Sequence, residues 1–319
     1  MNHNILKVVS AATILIASQA LAAASSDLSK LQTDLDEVCQ AFHGKVGYCI
    51  VDLKSGKSVG RLQSEMFPSA STIKACVLYE TLKQIELGKT TWETKLILPP
   101  PTQRSKSMWA AYLAPGINPN LDGLCNLMMN YSDNAATVAI SDHVGLENIE
   151  KSMNALGMTN TACTIHVPAS NPRLTKLRAD FQNMGVTSPA DMAKFLGLLY
   201  HNKLLTPASN ERMIRMMSHE YWDDFVTGQI PPGVYVCSKV GALERSRSNI
   251  AIVYGDHPYI LTIYTDNDAD KTWTINTEAH VLIRTFSKKV WQWFNPKSRY
   301  SPPEGYEKLL PTGGGVEDP

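Results

Sequence analysis

The sequence FPSASTIK occupies residues 67–74, and the rest of the chain is organised around it. Two short β-like runs precede it and a long apolar helix is predicted to begin within it, so Ser71 and Lys74 should lie one turn apart on the same face. A hydroxyl beside an amine at a helix N-terminus suits nucleophilic chemistry, because the amine can take the proton and the free N–H groups favour developing negative charge. This is the only Ser-x-x-Lys in the chain, but so short a pattern also arises by chance, and its surroundings must decide its meaning.

The composition is that of an ordinary globular protein. The 319 residues are 44% hydrophobic and 19% charged, the formal net charge is +0, and no basic block is present. A chain of this length can bury a large core. Nucleic acid and anionic membrane surfaces are therefore not expected as main partners.

The N-terminal residues differ from the rest of the chain. Lys7 is the only charged residue before Asp27, an apolar run follows it, and two A-x-A sequences end at Ala22 and Ala24. This pattern predicts a secretory signal peptide, residues 1–22, cleaved after Ala22 or Ala24. The alternative is a membrane anchor, but the run is shorter than the ~20 apolar residues needed to span, and no later segment is apolar enough. We therefore expect a periplasmic or secreted protein, monomeric and without a membrane span after cleavage.

The six cysteines are scattered through the chain in apolar contexts and include no C-x-x-C pair. In an exported protein they could form disulfides. A buried free thiol is nevertheless the expectation for each, because an isolated cysteine in apolar surroundings behaves as a small hydrophobic side chain.

Hydrophobic periodicity divides the remaining chain into helical and strand-like segments. Helices are predicted at residues 27–42, 71–87, 121–129, 135–143, 146–156, 189–200, 209–218 and 277–294. Strands are predicted at residues 46–53, 58–62, 234–240, 249–254 and 259–265. Residues 159–185 have no clear period and are predicted to form a long functional loop.

The order of these segments predicts an α+β fold: an antiparallel sheet made from both chain ends, flanked by terminal helices, with an inserted all-helical subdomain. The sheet subdomain is predicted to comprise residues 25–66 and 220–297, and the helical subdomain residues 67–219. Residues 298–319 contain Pro-Pro and Gly-Gly-Gly with few apolar anchors, and are predicted to be a loose tail.

Two further motifs follow the Ser-x-x-Lys in order: S-D-N at residues 132–134 and K-V-G at residues 239–241. Together the three resemble the signature of the penicillin-recognising serine enzymes, S-x-x-K, S-D-N and K-T-G. The sequences TSPADM at residues 187–192 and GALER at residues 241–245 resemble those of the class A β-lactamase branch in particular. The resemblance covers residues 28–295, nearly the whole mature chain.

The resemblance implies catalytic roles for four side chains. Ser71 is expected to attack a lactam or peptide carbonyl, and Lys74 to accept its proton if the amine is held neutral. Ser132 is expected to pass that proton to the leaving nitrogen. Lys239 is expected to supply positive potential for the substrate carboxylate. For S-D-N the alternative from the residues alone is a capping turn between helices.

The resemblance also implies groups that bind the substrate. Asn134 is suited to hold a substrate side-chain amide, and the backbone at Gly241 and Ala242 is expected to border the oxyanion hole, formed by the N–H groups of Ser71 and Ala242. Arg245 or Arg247 is expected to bind the substrate carboxylate, and both stay open because the turn is one residue short. Arg247 is the candidate carried forward, with surface solvation as its alternative.

Other features are implied by the resemblance or excluded by the residues. Relatives often link the helix carrying Ser71 to the helix before Ser132 by a disulfide; Cys125 stands at the matching place, but Cys76 falls about two positions early, a turn of ~200° around the helix. Trp109 is expected either at the cleft mouth or in the core. No metal or other cofactor is expected, because the eight histidines are scattered without an H-x-H-x-D cluster.

Two departures from the class A pattern bear on the chemistry. That pattern places a glutamate on the long loop to activate the deacylating water, but residues 151–210 contain no glutamate, and Asp180 is the loop's only carboxylate. Loss of general-base help slows such a step typically ~10²–10⁴-fold. Val240 stands where Thr or Ser is usual, which removes a hydroxyl that binds the substrate carboxylate and lowers recognition by ~1–3 kcal/mol.

Three functions remain open on the sequence. The favoured one is an exported serine hydrolase acylated at Ser71 by β-lactams or by D-Ala-D-Ala-type peptides of the peptidoglycan stem, and built like a DD-peptidase because the deacylating glutamate is absent. The first alternative is a true class A β-lactamase that turns β-lactams over. The second is a non-catalytic cell-wall peptide-binding protein, against which stands the presence of all the motif side chains.

Overall fold

The structure is a computed structural model that describes residues 27–98, 109–114, 116–167, 170–181, 184–222, 224–298 and 300–305. The predicted signal peptide and residues 306–319 of the predicted tail lie outside the described residues. The helices run over Ser29–Gln40 (α1), Lys74–Glu86 (α2), Leu121–Asn130 (α3), Asn134–Val144 (α4), Leu146–Ala155 (α5), Pro172–Phe181 (α6), Pro189–Tyr200 (α7), Pro207–Met217 (α8) and Glu278–Phe294 (α9). The strands run over Lys45–Asp52 (β1), Ser58–Arg61 (β2), Phe67–Pro68 (β3), Ala162–Cys163 (β4), Gly185–Thr187 (β5), Val236–Leu243 (β6), Ser246–Val253 (β7) and Tyr259–Asp266 (β8).

A five-stranded antiparallel sheet carries the fold, in the order β2-β1-β8-β7-β6. The first strand of the chain therefore pairs with the last one, so that Lys45 lies opposite Asp266 and Asp52 opposite Tyr259. Every residue of β7 is buried, because helices cover both faces of the sheet. The prediction of an α+β fold whose sheet is built from both chain ends is confirmed.

The two faces of the sheet belong to two hydrophobic cores. On one face the terminal helices α1 and α9 pack against the sheet, and the ring of Tyr48 meets the edge of Phe286 at a centroid distance of 5.1 Å. On the other face α7 and the helical region pack, with Phe195 of α7 in contact with Tyr79 of α2 at 5.9 Å. Each fully buried aromatic or aliphatic side chain contributes ~1.5–3 kcal/mol. The sheet is thus held from both sides, and β6 lies at its edge beside the helical region.

Two local predictions need correction. Ser71 does not lie in an α-helix: residues Ala70–Ile73 form a 3₁₀ turn, and the α-helix begins at Lys74. Residues 159–185 are not structureless, because they contain α6 together with β4 and β5. Only Leu174 is buried on α6, so its sequence lacks the apolar periodicity by which a helix is predicted.

All six cysteines are free and buried, which confirms the expectation of unpaired thiols. Cys76 and Cys125, the pair suggested by the resemblance, do not form a disulfide. Burial raises the pKa of each thiol, to about 12 for Cys39, Cys49 and Cys163. None of the described helices is long and apolar enough to cross a membrane.

The thiols lead to a first prediction. The native protein should not react with a water-soluble aromatic disulfide reagent, because every thiol is buried and protonated. After unfolding without reductant, each cysteine should react and release one coloured thiolate from the reagent. The measurement is a thiol titration before and after unfolding. A shortfall in the unfolded protein, with a matching loss of about 2 Da per pair in the intact mass (two hydrogens per disulfide formed), would show that a disulfide forms after all.

Candidate active site

A strained turn positions the predicted nucleophile. Pairing of β3 with β5 and a hydrogen bond from Ser69 N to Gly185 O, 3.0 Å, fix the chain just before Ser71. Ala70 then adopts φ 46°, a left-handed conformation that disfavours any residue but glycine and costs of order ~1–3 kcal/mol. The Thr72 hydroxyl donates to Ser69 O at 2.7 Å and holds the turn closed. Ser71 is thereby presented, partly exposed, at the first turn of a helix.

The Lys74 amine, three residues after Ser71, is completely buried. Its Nζ donates to Ser132 O at 2.5 Å, to Ser132 Oγ at 3.0 Å and to Asn134 Oδ1 at 2.7 Å. Burial, and next the positive charge of Lys239, hold the pKa of Lys74 well below its ordinary value. An amine that loses its proton readily can act as the base for Ser71. The structure therefore brings Lys74, Ser132 and Asn134 together as the motifs predict.

The S-D-N turn is a capping turn and also part of the cleft wall. Asp133 Oδ1 accepts the Ala136 N–H at 2.8 Å and caps α4, while Oδ2 accepts the Ala110 N–H at 2.7 Å. Ser132 has φ 59°, so this turn also stores backbone strain. The two interpretations considered for the motif are compatible, because the cap made by Asp133 holds Ser132 against Lys74.

The edge strand β6 passes very close to the nucleophile. A Cβ on Gly241 would lie 2.9 Å from Ser71 N and 2.8 Å from Ala70 Cβ, so only glycine fits there. Successive N–H groups of a strand alternate in direction, and the N–H of Val240 points away from β7, to an acceptor outside the sheet. The N–H of Ala242 therefore points to the same open side, where an oxyanion hole shared with Ser71 N would require it.

The site contains one acidic residue, Glu220, that no motif of the sequence predicts. Its carboxylate makes an ion pair with Lys239 Nζ, and its Oε2 accepts the N–H of Val240 at 2.9 Å. The pair is almost dry, with side-chain exposures of 0% for Lys239 and 4% for Glu220. Burial raises the pKa of Glu220 to about 7, although Lys239 opposes the shift. A buried lysine that keeps its charge requires a counter-charge, but nothing in the sequence around Glu220 marks it as the partner.

An aromatic cluster fixes the segment that carries Glu220. The ring of Tyr131 lies 4.9 Å from that of Trp109 and 5.6 Å from that of Tyr221. Trp222 Nε1 donates to Tyr131 O at 3.2 Å, and Tyr221 N donates to Asn130 O at 2.8 Å. Trp109 is 44% exposed, so it lies at the surface beside the S-D-N turn and not in the core. The cluster therefore connects the S-D-N turn to the segment that carries Glu220.

Arg247 is not brought into the cleft. Its Nη1 donates to Leu243 O and its Nη2 to Thr272 O at 2.9 Å, and the guanidinium stacks over Trp273 at 4.5 Å. The next residue along β7, Ser248, is the one that faces the nucleophile turn, where its Oγ bonds Ser69 O at 3.3 Å. Since neighbouring strand residues point to opposite faces, the prediction that Arg247 binds the substrate carboxylate does not fit this geometry.

The long loop provides no substitute for the absent glutamate among its carboxylates. Asp180 accepts from Lys176 Nζ at 2.7 Å on the exposed side of α6, with 44% of its side chain exposed. An ion pair one helical turn apart at the surface is an ordinary stabilising contact. Asp180 therefore has a structural partner and shows no sign of serving Ser71.

The chain is similar to known proteins over most of its length. A sequence model of the beta-lactamase enzyme family matches residues 30–294. A β-lactamase of Rhodobacter capsulatus is 23% identical over 282 residues, which are 85% of this chain and 89% of that protein. The structure of a β-lactamase from Xanthomonas campestris aligns with a TM-score of 0.71 at 21% identity, over 82% of this chain and 96% of that one. A PBP-A variant in an acyl-enzyme complex with penicillin G aligns with a TM-score of 0.73 at 23% identity, over 84% and 97%.

The buried amine leads to a second prediction. Replacing Lys74 with Met should slow the reaction of Ser71 with a fluorophosphonate probe by ~10²–10⁴-fold, because the serine loses its base. In the native protein the rate should rise with pH as the Lys74 amine deprotonates. It should level off at a pH well below 10.5, the pKa of an ordinary lysine, because the pKa of Lys74 is lowered. Intact-mass measurement of the adduct over time gives both results.

Lys151→Met is the matched control, because Lys151 is 75% exposed and pairs only with Glu147 on the same helix. It should react at the native rate. Equal rates for native protein and Lys74→Met would show that Lys74 is not the base.

Proposed function

Because the chain belongs to the beta-lactamase enzyme family, we propose that this serine hydrolase works through an acyl-Ser71 intermediate formed from β-lactams or from D-Ala-D-Ala-type peptides of the peptidoglycan stem. The observation that carries the proposal is the buried Lys74 amine, hydrogen-bonded to Ser132 and Asn134 and lowered in pKa, three residues after Ser71, which a strained turn leaves partly exposed. A merely structural lysine gains nothing from such an environment, since burial penalises its charge.

The proposed acylation uses the side chains of Ser71, Lys74 and Ser132 and two backbone N–H groups. Ser71 Oγ bonds to the carbonyl carbon as Lys74 takes the hydroxyl proton. The developing oxyanion is held by the N–H groups of Ser71 and Ala242. As the C–N bond breaks, the proton passes through Ser132 to the leaving nitrogen. The hydrogen bond of 3.0 Å between Lys74 Nζ and Ser132 Oγ supports this route.

We further propose that release of the acyl group is slow, as in a DD-peptidase acting on penicillin. The family's loop glutamate is missing from residues 151–210, and Asp180 is paired at the surface. Without that general base, attack by water is slower by typically ~10²–10⁴-fold. A PBP-A variant that forms an acyl-enzyme with penicillin G and a β-lactamase share this fold alike, so the missing base carries this part of the proposal.

Export completes the proposal. The charge and apolar pattern of the first 24 residues is that of a cleaved signal peptide. Stem peptides lie outside the cytoplasmic membrane, so a periplasmic or secreted protein would meet them. N-terminal sequencing of the mature protein tests this part, with Ala23 or Ser25 as the expected first residue.

The third prediction concerns the adduct. Incubation with a fluorescent penicillin should give one covalent adduct on Ser71 that persists long after a β-lactamase would have released it, and Ser71→Ala should give none. The reason is that acylation has its base while deacylation lacks one. Intact mass followed over time, with peptide mapping of the adduct, is the measurement.

Other outcomes assign the protein differently. Rapid loss of the adduct with release of penicilloic acid would make it a true β-lactamase. Absence of any adduct, together with unchanged peptide binding by Ser71→Ala, would make it a non-catalytic cell-wall peptide-binding protein. Ser64→Ala is a suitable control, because Ser64 is exposed and lies outside the turn that positions Ser71.

A further inference from the structure

The cleft should recognise the leaving side of its substrate in a way that departs from the family. By resemblance, a substrate carboxylate is met by the charge of Lys239, by a hydroxyl at the next position and by a nearby arginine. In this chain each of these groups is absent or engaged elsewhere. The consequence for the substrate depends on where the built-in carboxylate of Glu220 lies.

Lys239 and Glu220 together carry almost no net charge. Lys239 is paired with Glu220 and both side chains are buried, so the two charges largely cancel for anything that enters the cleft. A carboxylate approaching Lys239 meets the carboxylate of Glu220 at the same time. Like charges held close together in a dry site oppose each other strongly.

The Glu220 carboxylate lies against the open edge of β6. Glu220 Oε2 accepts the N–H of Val240, which lies on the open edge of β6. The N–H of Ala242, on the oxyanion side, points to that same edge two residues further on, a distance of ~6.5–7 Å along a strand. An extended peptide advances ~3.3–3.6 Å per residue, so this distance reaches from the reacting carbonyl past the first residue of the leaving group. The carboxylate of Glu220 therefore lies beside the place where the leaving group of an acyl donor would sit.

Four other side chains are candidates to bind the substrate carboxylate in place of Lys239. The Val240 side chain is 6% exposed and packs into the core shared with α1 and α9, so it offers nothing to the cleft. Arg247 lies on the opposite face of the sheet, and Ser248 Oγ already bonds Ser69 O and Gly241 O. Arg245 is exposed on the turn beyond Leu243. Among the described residues, none of these four side chains contacts the Lys239–Glu220 pair by a hydrogen bond or an ion pair.

We propose that the cleft is built for acyl donors whose leaving side carries no free carboxylate: internal or amidated peptide bonds, and neutral esters or lactams. The inference rests on the proposed acyl-Ser71 chemistry and narrows its substrate class. In a peptide this means cleavage before an amidated or chain-internal residue rather than removal of a C-terminal one. Glu220 is then a specificity-determining residue that takes the place of the substrate's own carboxylate beside Lys239.

The test compares donors that differ only in this charge. The donors are penicillin G and its methyl ester, and a D-Ala-D-Ala peptide acid and its C-terminal amide. The rate of Ser71 acylation is measured by intact mass for the β-lactams and by amine release for the peptides, each divided by the donor's rate of alkaline hydrolysis. At about pH 8 the neutral member of each pair should acylate about tenfold faster or more, the size expected for removing a like-charge contact.

Glu220→Gln should bring the ratio of the two rates close to one by speeding the anionic donor. Glu211→Gln is the matched control: Glu211 is an exposed residue paired with Arg215 on α8, and this variant should keep the native ratio. Thermal unfolding of both variants checks that they fold.

A pH series on the native protein gives the same information without substitution. The charged groups near Glu220 are Lys239 on β6 and Lys74 on α2, and Cys237 is the neighbouring thiol. As the pH falls from about 8 to about 6 Glu220 takes up a proton, because its pKa is about 7, and the charge of Lys239 becomes available. The neutral-to-anionic ratio should therefore fall. Protonation of Lys74 slows both donors alike and cancels in the ratio.

The outcomes separate this inference from the proposed function. A ratio of one or less at alkaline pH in the native protein overturns the inference and leaves acyl-Ser71 chemistry intact. A high ratio that neither pH nor Glu220→Gln changes shows that Glu220 is not its cause. Absence of acylation by all four donors defeats the proposed function itself.

Discussion

Burial of the Lys74 amine is the constraint on which the site depends. A lysine at the surface is protonated and useless as a base, whereas an amine enclosed by α2, the S-D-N turn and the sheet edge gives up its proton more easily. Enclosure also obliges the surroundings to supply hydrogen-bond acceptors, which here are Ser132 and Asn134. The same contacts that satisfy the amine therefore position Ser132, which is proposed to pass on the proton, and Asn134, which is expected to hold a substrate amide.

This enclosure is maintained by strain at two places. Ala70 and Ser132 both adopt left-handed backbone conformations, one on each side of the amine. Neither turn would keep its shape alone. The first is held by the β3–β5 pairing and by the close approach of Gly241, the second by both carboxylate oxygens of Asp133. Two hydrophobic cores, one on each face of the sheet, supply the stability that such strained turns consume.

The fold and the order of the motifs could be predicted from the sequence, because both depend on patterns that run along the chain. Alternating strands, the Ser188-Pro189 helix start and the spacing of the three motifs need no tertiary information. Arg247 illustrates the limit: a shift of one residue in a strand moves a side chain to the other face, and the length of the turn does not reveal it. Glu220 illustrates another, since its pairing with Lys239 is made by the packing of Tyr131, Tyr221 and Trp222 and not by any local pattern. Helix α6 could not be predicted from hydrophobic periodicity, because it buries a single leucine.

The strand order has a consequence for how the protein is made. Strand β8 lies between β1 and β7, so the middle of the sheet stays open until residue 266 has been synthesised. Ser71 and Lys74 emerge early, but Lys239 and the oxyanion edge of β6 come nearly 170 residues after Ser71, since 239 minus 71 is 168. During synthesis Ser71 and Lys74 therefore exist without the rest of the proposed site. A chain that is exported before it folds would remain inert within the cell and gain its reactivity only on the far side of the membrane.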